Sequence, residues 1–393
     1  MKRHICAVSG SRADYGLLRW MLKEIRDDSG LELHLVVAGS HLLAEYGSSI
    51  DEIEADRIPI SGRIDVIDPT DSAQGIARAI GAGVLRFSET FSQLELDVLL
   101  LLGDRYEIFA AAVAATALHI PIAHCHGGER TEGAIDEVLR HSITKMSHLH
   151  FTATDEYRNR VIQLGEDPER VFNVGSFGVE AIDRLPRLTQ SQLESKLKLD
   201  LSQKTLLVTY HPETHSIEDS EKTLTNLLNC LNKLDQVKVI FTLSNADEGG
   251  RLINELVNEY VAANPGKASV FANLGQEVLF SLIENVDGIV GNSSSGIIEA
   301  PSLKVGTLNI GDRQKGRIRA DSIIDCSGSA DEIARGLEML FSRDFKDRVT
   351  RARNPYEGER PSEKVRSILG SYPLNGILKK SFYDLEKIGK VDE

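Results

Sequence analysis

Cysteine is scarce in this 393-residue chain. The four that occur, Cys6, Cys125, Cys230 and Cys326, lie far apart and form no CxxC, which argues against a zinc knuckle or a disulfide framework and fits a reducing cytoplasm. Long hydrophobic runs are missing as well. No segment reaches about 18 uninterrupted apolar residues, so no transmembrane helix is expected, and the basic start MKRH leads into an apolar run too short for a secretory signal. Positive charge is in deficit, with 45 Lys and Arg against 59 Asp and Glu and a formal net charge of −14. A surface of that sign repels a phosphate backbone, so neither nucleic acid nor membrane is an expected partner. What is present is an ordinary globular composition, 41% apolar and 6% aromatic, with enough length for two domains.

Short apolar runs that end in Gly, Ser, Asp or Asn alternate with helical patterns, which is how parallel α/β units read in sequence. In the first half the expected strands are 4–10, 31–39, 97–104, 120–128, 148–154 and 171–176. The chain turns polar between 177 and 203 and the pattern restarts at 204–213, 237–247, 268–275, 286–296 and 305–313. Two Rossmann-like domains are therefore expected, at 1–178 and 203–370. Residues 371–393 read as a C-terminal helix that packs back on the first domain.

In open parallel sheets, ligands bind beyond the carboxyl ends of the strands, where loops and helix N-termini meet. The segment VGNSSSGIIEAP (290–301) places Ser293, Ser294 and Ser295 between a strand end and a helix start. A serine N-cap needs no ligand. The four cations of GDRQKGRIR, Arg313, Lys315, Arg317 and Arg319, change that reading, because an acidic protein that gathers cations beside a helix start is suited to a polyanion. VSGSRADYG holds Arg12 at a second strand-to-helix turn that is not GxGxxG, so a dinucleotide fingerprint is not supported. His211, in YHPET, ends another strand; it is either structural or a donor to a phosphate oxygen.

Asp104, in LLLLGDRYE, could simply cap the helix that follows it. Together with Glu129, Asp136 and Glu137 from HCHGGERTEGAIDE it forms a group of carboxylates at one crevice, where neighbouring charges separate pKa values into an acid and a base. A His-Cys-His metal site is weak, because alternate strand residues point to opposite faces, leaving Cys125 turned away from His124 and His126. Acid and base chemistry is the preferred reading, and no metal is expected.

Taken together, GSRADYG, LGDRYE, HGGE, DEVLRHSITKMSHLH, RVIQLGE, HPET and GNSSSGIIEAPSLKVGTLNIGDRQKGR resemble the hydrolysing UDP-N-acetylglucosamine 2-epimerases of sialic acid synthesis and their relatives in legionaminic acid synthesis. The similarity runs in order from about residue 4 to 370. It implies an α/β fold of two Rossmann-like domains in a GT-B-like arrangement, with the nucleotide sugar in the interdomain cleft and a homodimer or homotetramer. It also implies Asp104, Glu129 and Asp136 as the acid and base set, with His211 and Arg12 at the diphosphate. Ser293 and Ser294 would bind phosphate, Glu299 would accept from the ribose hydroxyls, and Arg313 would face the phosphates or the sugar. Arg105, Asn292 and Arg317 complete the expected substrate contacts. One departure matters: the non-hydrolysing bacterial relatives and the animal enzyme of sialic acid synthesis carry a glutamate where this chain has His126, so the second acid or base is His126 or Glu129.

The implied reaction converts UDP-N-acetylglucosamine to UDP and free N-acetylmannosamine in the cytoplasm, by anti elimination to a glycal followed by water addition, with no cofactor. The same reaction on a UDP- or GDP-linked 2,4-diacetamido-2,4,6-trideoxyglucose is the nearest alternative. A GT-B glycosyltransferase and a non-catalytic nucleotide-sugar binding protein are the alternatives from other classes.

Overall fold

The computed structural model describes residues 2–42, 50–66, 72–132, 135–213, 217–244 and 249–385. Thr214 of the HPET motif, Gly133 and Ala134 of the acidic loop, and residues 386–393 lie outside them.

Two parallel sheets carry the chain. The first contains β1 (Arg3–Ser9), β2 (Leu31–Ala38), β3 (Ile60–Ile64), β4 (Val98–Leu102), β5 (Ile122–Cys125), β6 (Leu149–Thr152) and β7 (Val171–Asn173), in the order β3-β2-β1-β4-β5-β6-β7. The second contains β8 (Lys204–Thr209), β9 (Val237–Thr242), β10 (Ala268–Phe271), β11 (Gly288–Gly291), β12 (Thr307–Ile310) and β13 (Ile323–Cys326), in the order β10-β9-β8-β11-β12-β13. Helices cover both faces, which is why interior strands such as VLLLL of β4 are buried at every position. Alternation still sorts the side chains. Ile5 and Ala7 pack with Leu18, Leu22, Val365 and Leu369, whereas Cys6 and Val8 pack on the opposite face with Phe87, Ala111 and Ala115.

Both sheets reverse direction at a switch point, between β1 and β4 in the first and between β8 and β11 in the second. The loops at those strand ends hold Ser11–Asp14 with Gly103–Arg105, and His211 with Asn292–Ser295, so topology sets the two halves of the site against each other.

Three differences from the sequence expectations have physical causes. β3 and β13 were not expected as strands. Both are edge strands of mixed polarity, ISGRI and IIDC, with one fully buried residue each, so neither shows a continuous apolar run. The expected strand 120–128 ends at Cys125, and His126 adopts a left-handed backbone conformation with φ +63°. The C-terminal helix is a correction: it spans Pro361–Ser371 and packs on the helix Arg12–Asp27, while 372–385 carries no helix. Pro361 fits the first turn, where the missing N–H leaves no bond unmade. The extended tail still joins the first domain, through Ile377 in its core and Tyr383 N–H donating to the Gly165 carbonyl at 2.9 Å.

One glycine decides the geometry of the second half-site. Gly291 has φ +130°, and a Cβ placed there would lie 1.9 Å from the Thr209 carbonyl oxygen. Gly291→Ala is therefore expected to cost about 3 kcal/mol or more, from backbone strain and overlap together. A urea unfolding midpoint within error of wild type would show that the β8–β11 seam relaxes freely.

Candidate active site

Two contiguous cavities occupy the cleft between the sheets. A cavity of about 190 Å3 gathers Asp14, Asp104, His126, Glu129, Asp136, Glu299 and Arg317. A second, of about 350 Å3, is lined by Arg12, His211, Ser293 and Ser295, together with the 272–276 loop. Ser11, Arg105, Ser294 and Arg313 line both. The smaller cavity thus sets carboxylates and an imidazole among Arg105, Arg140, Arg313 and Arg317, and the larger one combines Arg12, Arg105 and Arg313 with hydroxyls.

Arg140 organises the carboxylate side. Its guanidinium is 1% exposed and pairs with Asp104, with Nε 2.8 Å from Oδ2, and with Glu137 Oε2 at 3.0 Å. It also donates to the Glu129 carbonyl at 2.9 Å and to Thr131 Oγ1 at 2.8 Å. Asp104 therefore does not act as the helix cap that its position allows; Arg105 occupies the cap position of the helix Tyr106–Ala117. Asp136 opens the helix Asp136–Met146, so Arg140 stands one helical turn on from it and shares its face.

His126 follows β5 in a conformation that costs a non-glycine residue energy, and such strain concentrates at functional sites. Its backbone N–H donates to the Phe151 carbonyl at 2.8 Å, and its ring stacks on Phe177 at 5.3 Å between centroids. Nδ1 lies 2.8 Å from Glu129 Oε1, although the ring N–H is not collinear with that oxygen. Nε2 is buried without a hydrogen-bond partner. Glu129 Oε2 in turn lies 3.0 Å from Arg317 Nη2, a contact from the first sheet's domain to the second. Burial opposes ionisation of Glu129, but Arg317 and then His126 overcome it and hold the carboxyl down to about 2.

Asp14 and Glu299 go the other way. Burial pushes each carboxyl up to about 7; Arg105 only partly offsets this for Asp14, and Arg317 only partly for Glu299. A carboxyl raised in the folded state adds stability that is complete below its unfolded value near 4.5 and is lost as pH rises through 7. Glu299→Gln, which mimics the protonated form, is thus expected to gain on wild type between pH 4.5 and 8, by on the order of 2–3 kcal/mol. Equal stability differences at pH 5 and pH 8 in urea titrations would show that Glu299 ionises normally.

At the larger cavity, Arg12 begins its helix with Nε 3.5 Å from Glu52 Oε2, and His211 Nδ1 lies 3.0 Å from Ser244 Oγ. Asn292 is a correction. It is fully buried and lines neither cavity: its Oδ1 accepts from His211 N–H at 2.7 Å, its Nδ2 donates to the His211 carbonyl at 2.8 Å, and its own carbonyl accepts from Gln314 at 2.9 Å. Its side-chain amide is spent on clasping the His211 backbone in place. Glu299 lines the smaller cavity, with the acid and base groups, and not the larger one.

Sequence reasoning missed Asp14 and Arg140. Asp14, two residues after Arg12, was visible in SRAD as a second charged residue at the same strand end. Arg140 was visible only as one of several cations on an amphipathic helix.

A sequence model of the family described as UDP-N-acetylglucosamine 2-epimerase matches residues 23–370. The chain belongs to that family. It is 40% identical over 385 residues to the GDP/UDP-N,N'-diacetylbacillosamine 2-epimerase (hydrolyzing) of Campylobacter jejuni, covering 98% of this chain and 100% of that protein. The polysialic acid biosynthesis protein P7 of Escherichia coli is 39% identical, covering 98% of each chain. The UDP-N,N'-diacetylbacillosamine 2-epimerase (hydrolyzing) of Legionella pneumophila is 36% identical, covering 97% of this chain and 99% of that protein. These full-length similarities place the enzyme in the hydrolysing branch. In fold it is similar to UDP-GlcNAc 2-epimerase from Neisseria meningitidis bound to UDP-GlcNAc, with TM-score 0.80 at 17% identity over 93% of this chain and 99% of that one. Its two domains thus take the GT-B-like arrangement. No helix among the described residues is long and apolar enough to cross a membrane.

Proposed function

We propose that this epimerase acts on a UDP-linked 2-acetamido sugar of gluco configuration, releasing UDP and the free manno sugar, with the 4-acetamido-6-deoxy form (N,N'-diacetylbacillosamine) as the preferred substrate. The observation that carries the mechanism is His126, a buried imidazole in a left-handed turn with Nδ1 beside Glu129 and an unpartnered Nε2. A carboxylate at one ring nitrogen orients the imidazole and leaves the other nitrogen to move a proton. His126 removes the C2 proton as the C1–O bond breaks. The C2–H electron pair forms the C1=C2 bond of the glycal, and the C1–O pair leaves on the diphosphate. Arg12, His211, Arg313 and the hydroxyls of Ser293 and Ser294 stabilise that departing charge. Water then adds its hydroxyl to C1 and loses its other proton to solvent, while Asp104 or Asp136, having taken up a proton from solvent, delivers it to C2 from the other face. His126 returns its proton to solvent.

The substrate preference rests on the Campylobacter and Legionella relatives at 40% and 36% identity, and on the apolar wall of Leu17, Leu102 and Ile298 in the sugar cavity, which suits a methyl group better than a C6 hydroxyl. UDP-N-acetylglucosamine, the expectation from sequence, remains the second reading and is favoured by the polysialic acid relative. The reaction is placed in the cytoplasm, in the synthesis of a nine-carbon sugar acid, and free cysteines fit that compartment. An oligomer belongs to the reading too. Leu85 on the helix Ala73–Ser92 and Ile135 and Val138 at the start of Asp136–Met146 are exposed, and both helices pack on Tyr106–Ala117.

The test is an NMR time course in D2O with both UDP sugars in parallel. UDP release with a manno sugar deuterated at C2 is expected, faster from the 4-acetamido-6-deoxy substrate. An undeuterated gluco product would mean plain hydrolysis, and no release from either would favour a transferase or a binding protein.

A further inference from the structure

Arg317 belongs to the second domain, in the turn that follows β12, yet one of its nitrogens is spent on the first. Nη2 lies 3.0 Å from Glu129 Oε2, while Nε and Nη1 are buried with no hydrogen-bond partner. A guanidinium offers five N–H donors in a rigid fork, and leaving part of that fork dry and unpaired is costly unless an acceptor arrives. The cavity that Arg317 lines beside Arg313 and Ser294, where the two cavities join, is open to such an acceptor, and the neighbouring guanidiniums favour an anion there.

The turn is held by a closed ring of hydrogen bonds across the cleft. Ile318 N–H donates to Tyr157 Oη of the first domain at 3.2 Å, the Tyr157 and Tyr356 hydroxyls lie 2.7 Å apart, and Tyr356 Oη donates to the Ile318 carbonyl at 3.2 Å. The residue after Arg317 thus has both backbone groups fixed by the two tyrosines. With the backbone beside it held, the guanidinium answers a ligand through its side chain, by dividing its contacts between Glu129 and whatever fills the cavity.

We propose that Arg317 is a positioning residue that couples departure of the diphosphate to proton removal at C2. One edge of its guanidinium grips a phosphate oxygen of the leaving group and the other holds Glu129, which orients His126. The proposal rests on the elimination reading above. As the C1–O bond breaks, its electron pair passes to the phosphate oxygen and draws Arg317 towards the new charge. Glu129 is then less fully neutralised and better able to stabilise the imidazolium formed as the C2 proton reaches His126 Nε2. Charge appears on the leaving group and on the base together, and one guanidinium answers to both. A sugar without a diphosphate lacks half of this arrangement, so free product should exchange its C2 proton poorly.

Arg317→Lys keeps the charge and loses the fork. It is expected to lower kcat by about a hundredfold or more, the scale of losing one preorganised donor to a developing anion, with UDP affinity by calorimetry within about tenfold. In D2O the residual turnover should shift towards undeuterated gluco sugar, because leaving-group loss would no longer require proton removal. Guanidinium ion should restore part of the manno product in Arg317→Ala. Tyr157→Phe, which removes one hydroxyl and keeps the ring packing, should reproduce the kcat loss in weaker form, and Arg317→Ala/Glu129→Gln should be little worse than the poorer single variant. A kcat within threefold of wild type in Arg317→Lys, a defect confined to UDP affinity, an unchanged product ratio, or multiplicative loss in the double variant would each overturn the coupling. None of these touches the function itself, which fails only if the wild-type enzyme releases no UDP or releases it with an undeuterated gluco sugar.

Discussion

Replacing His126 by Asn is expected to lower kcat by about 10²–10⁴ while UDP affinity stays within a few fold, since a well-placed acid or base contributes that much. Asn is the appropriate probe because it tolerates the left-handed region better than other L-residues, so the φ of +63° at this position persists and the loss reports on the imidazole. Glu129→Gln is the companion. It removes the charge beside Nδ1 and the partner of Arg317 without changing size, and it too should abolish most turnover while leaving the larger cavity, which Glu129 does not line, intact. Groups that act as a unit are not additive, so the double variant should be scarcely worse than His126→Asn alone. A large loss of UDP binding in Glu129→Gln would move that residue to the nucleotide site, and retained turnover in His126→Asn would return the base to a carboxylate.

Arg140→Met is expected to destabilise the fold by about 3–5 kcal/mol, the cost of removing one member of a buried ion network. The four acceptors that converge on this guanidinium explain the size: Asp104 and Glu137 lose their common counter-charge, and the Glu129 carbonyl and Thr131 hydroxyl lose a donor. The effect should depend on pH in a definite sense. Burial opposes ionisation of Glu137, but hydrogen bonds from His141 and the Thr131 N–H, with the nearby Arg140 charge, hold it down to about 2. A carboxyl lowered in the folded state adds stability that is present above its unfolded value near 4.5 and is lost as pH falls through 2. Removing Arg140 takes away part of that contribution, so the deficit should be larger at pH 7 than at pH 3. Urea midpoints at the two pH values decide it; a difference below about 1 kcal/mol would mean that water replaces Arg140 at little cost.

Most of the fold was legible before any coordinates. Interior parallel strands are apolar on both faces, so HICAV, DVLLLL and KTLLV announce themselves by composition, and the loops that end them carry Ser, Gly and Asp for local reasons of backbone conformation. Edge strands such as ISGRI escaped because only one residue in five is fully buried. The carboxyl-end rule, a consequence of right-handed crossovers, put Arg12, Asp104, His126, His211 and Ser293 in one cleft without knowledge of their contacts.

The contacts themselves were not in the sequence pattern. Nothing local distinguishes Asn292, which spends its amide on the His211 backbone, from a residue that touches substrate. No spacing announces that Glu129 meets Arg317 across the cleft, that Arg140 collects Asp104 and Glu137, or that His126 leaves the strand with its Nε2 unpaired. By itself the sequence determined which elements form and which loops share an end of each sheet, because periodicity, turn chemistry and crossover handedness act over short stretches. Only the tertiary structure decided which side chains pair, and therefore which carboxyls are driven down to about 2 and which up to about 7. Burial and Coulomb interaction depend on distance in space, and distance in space between residues remote in the chain is set by the packing of the whole.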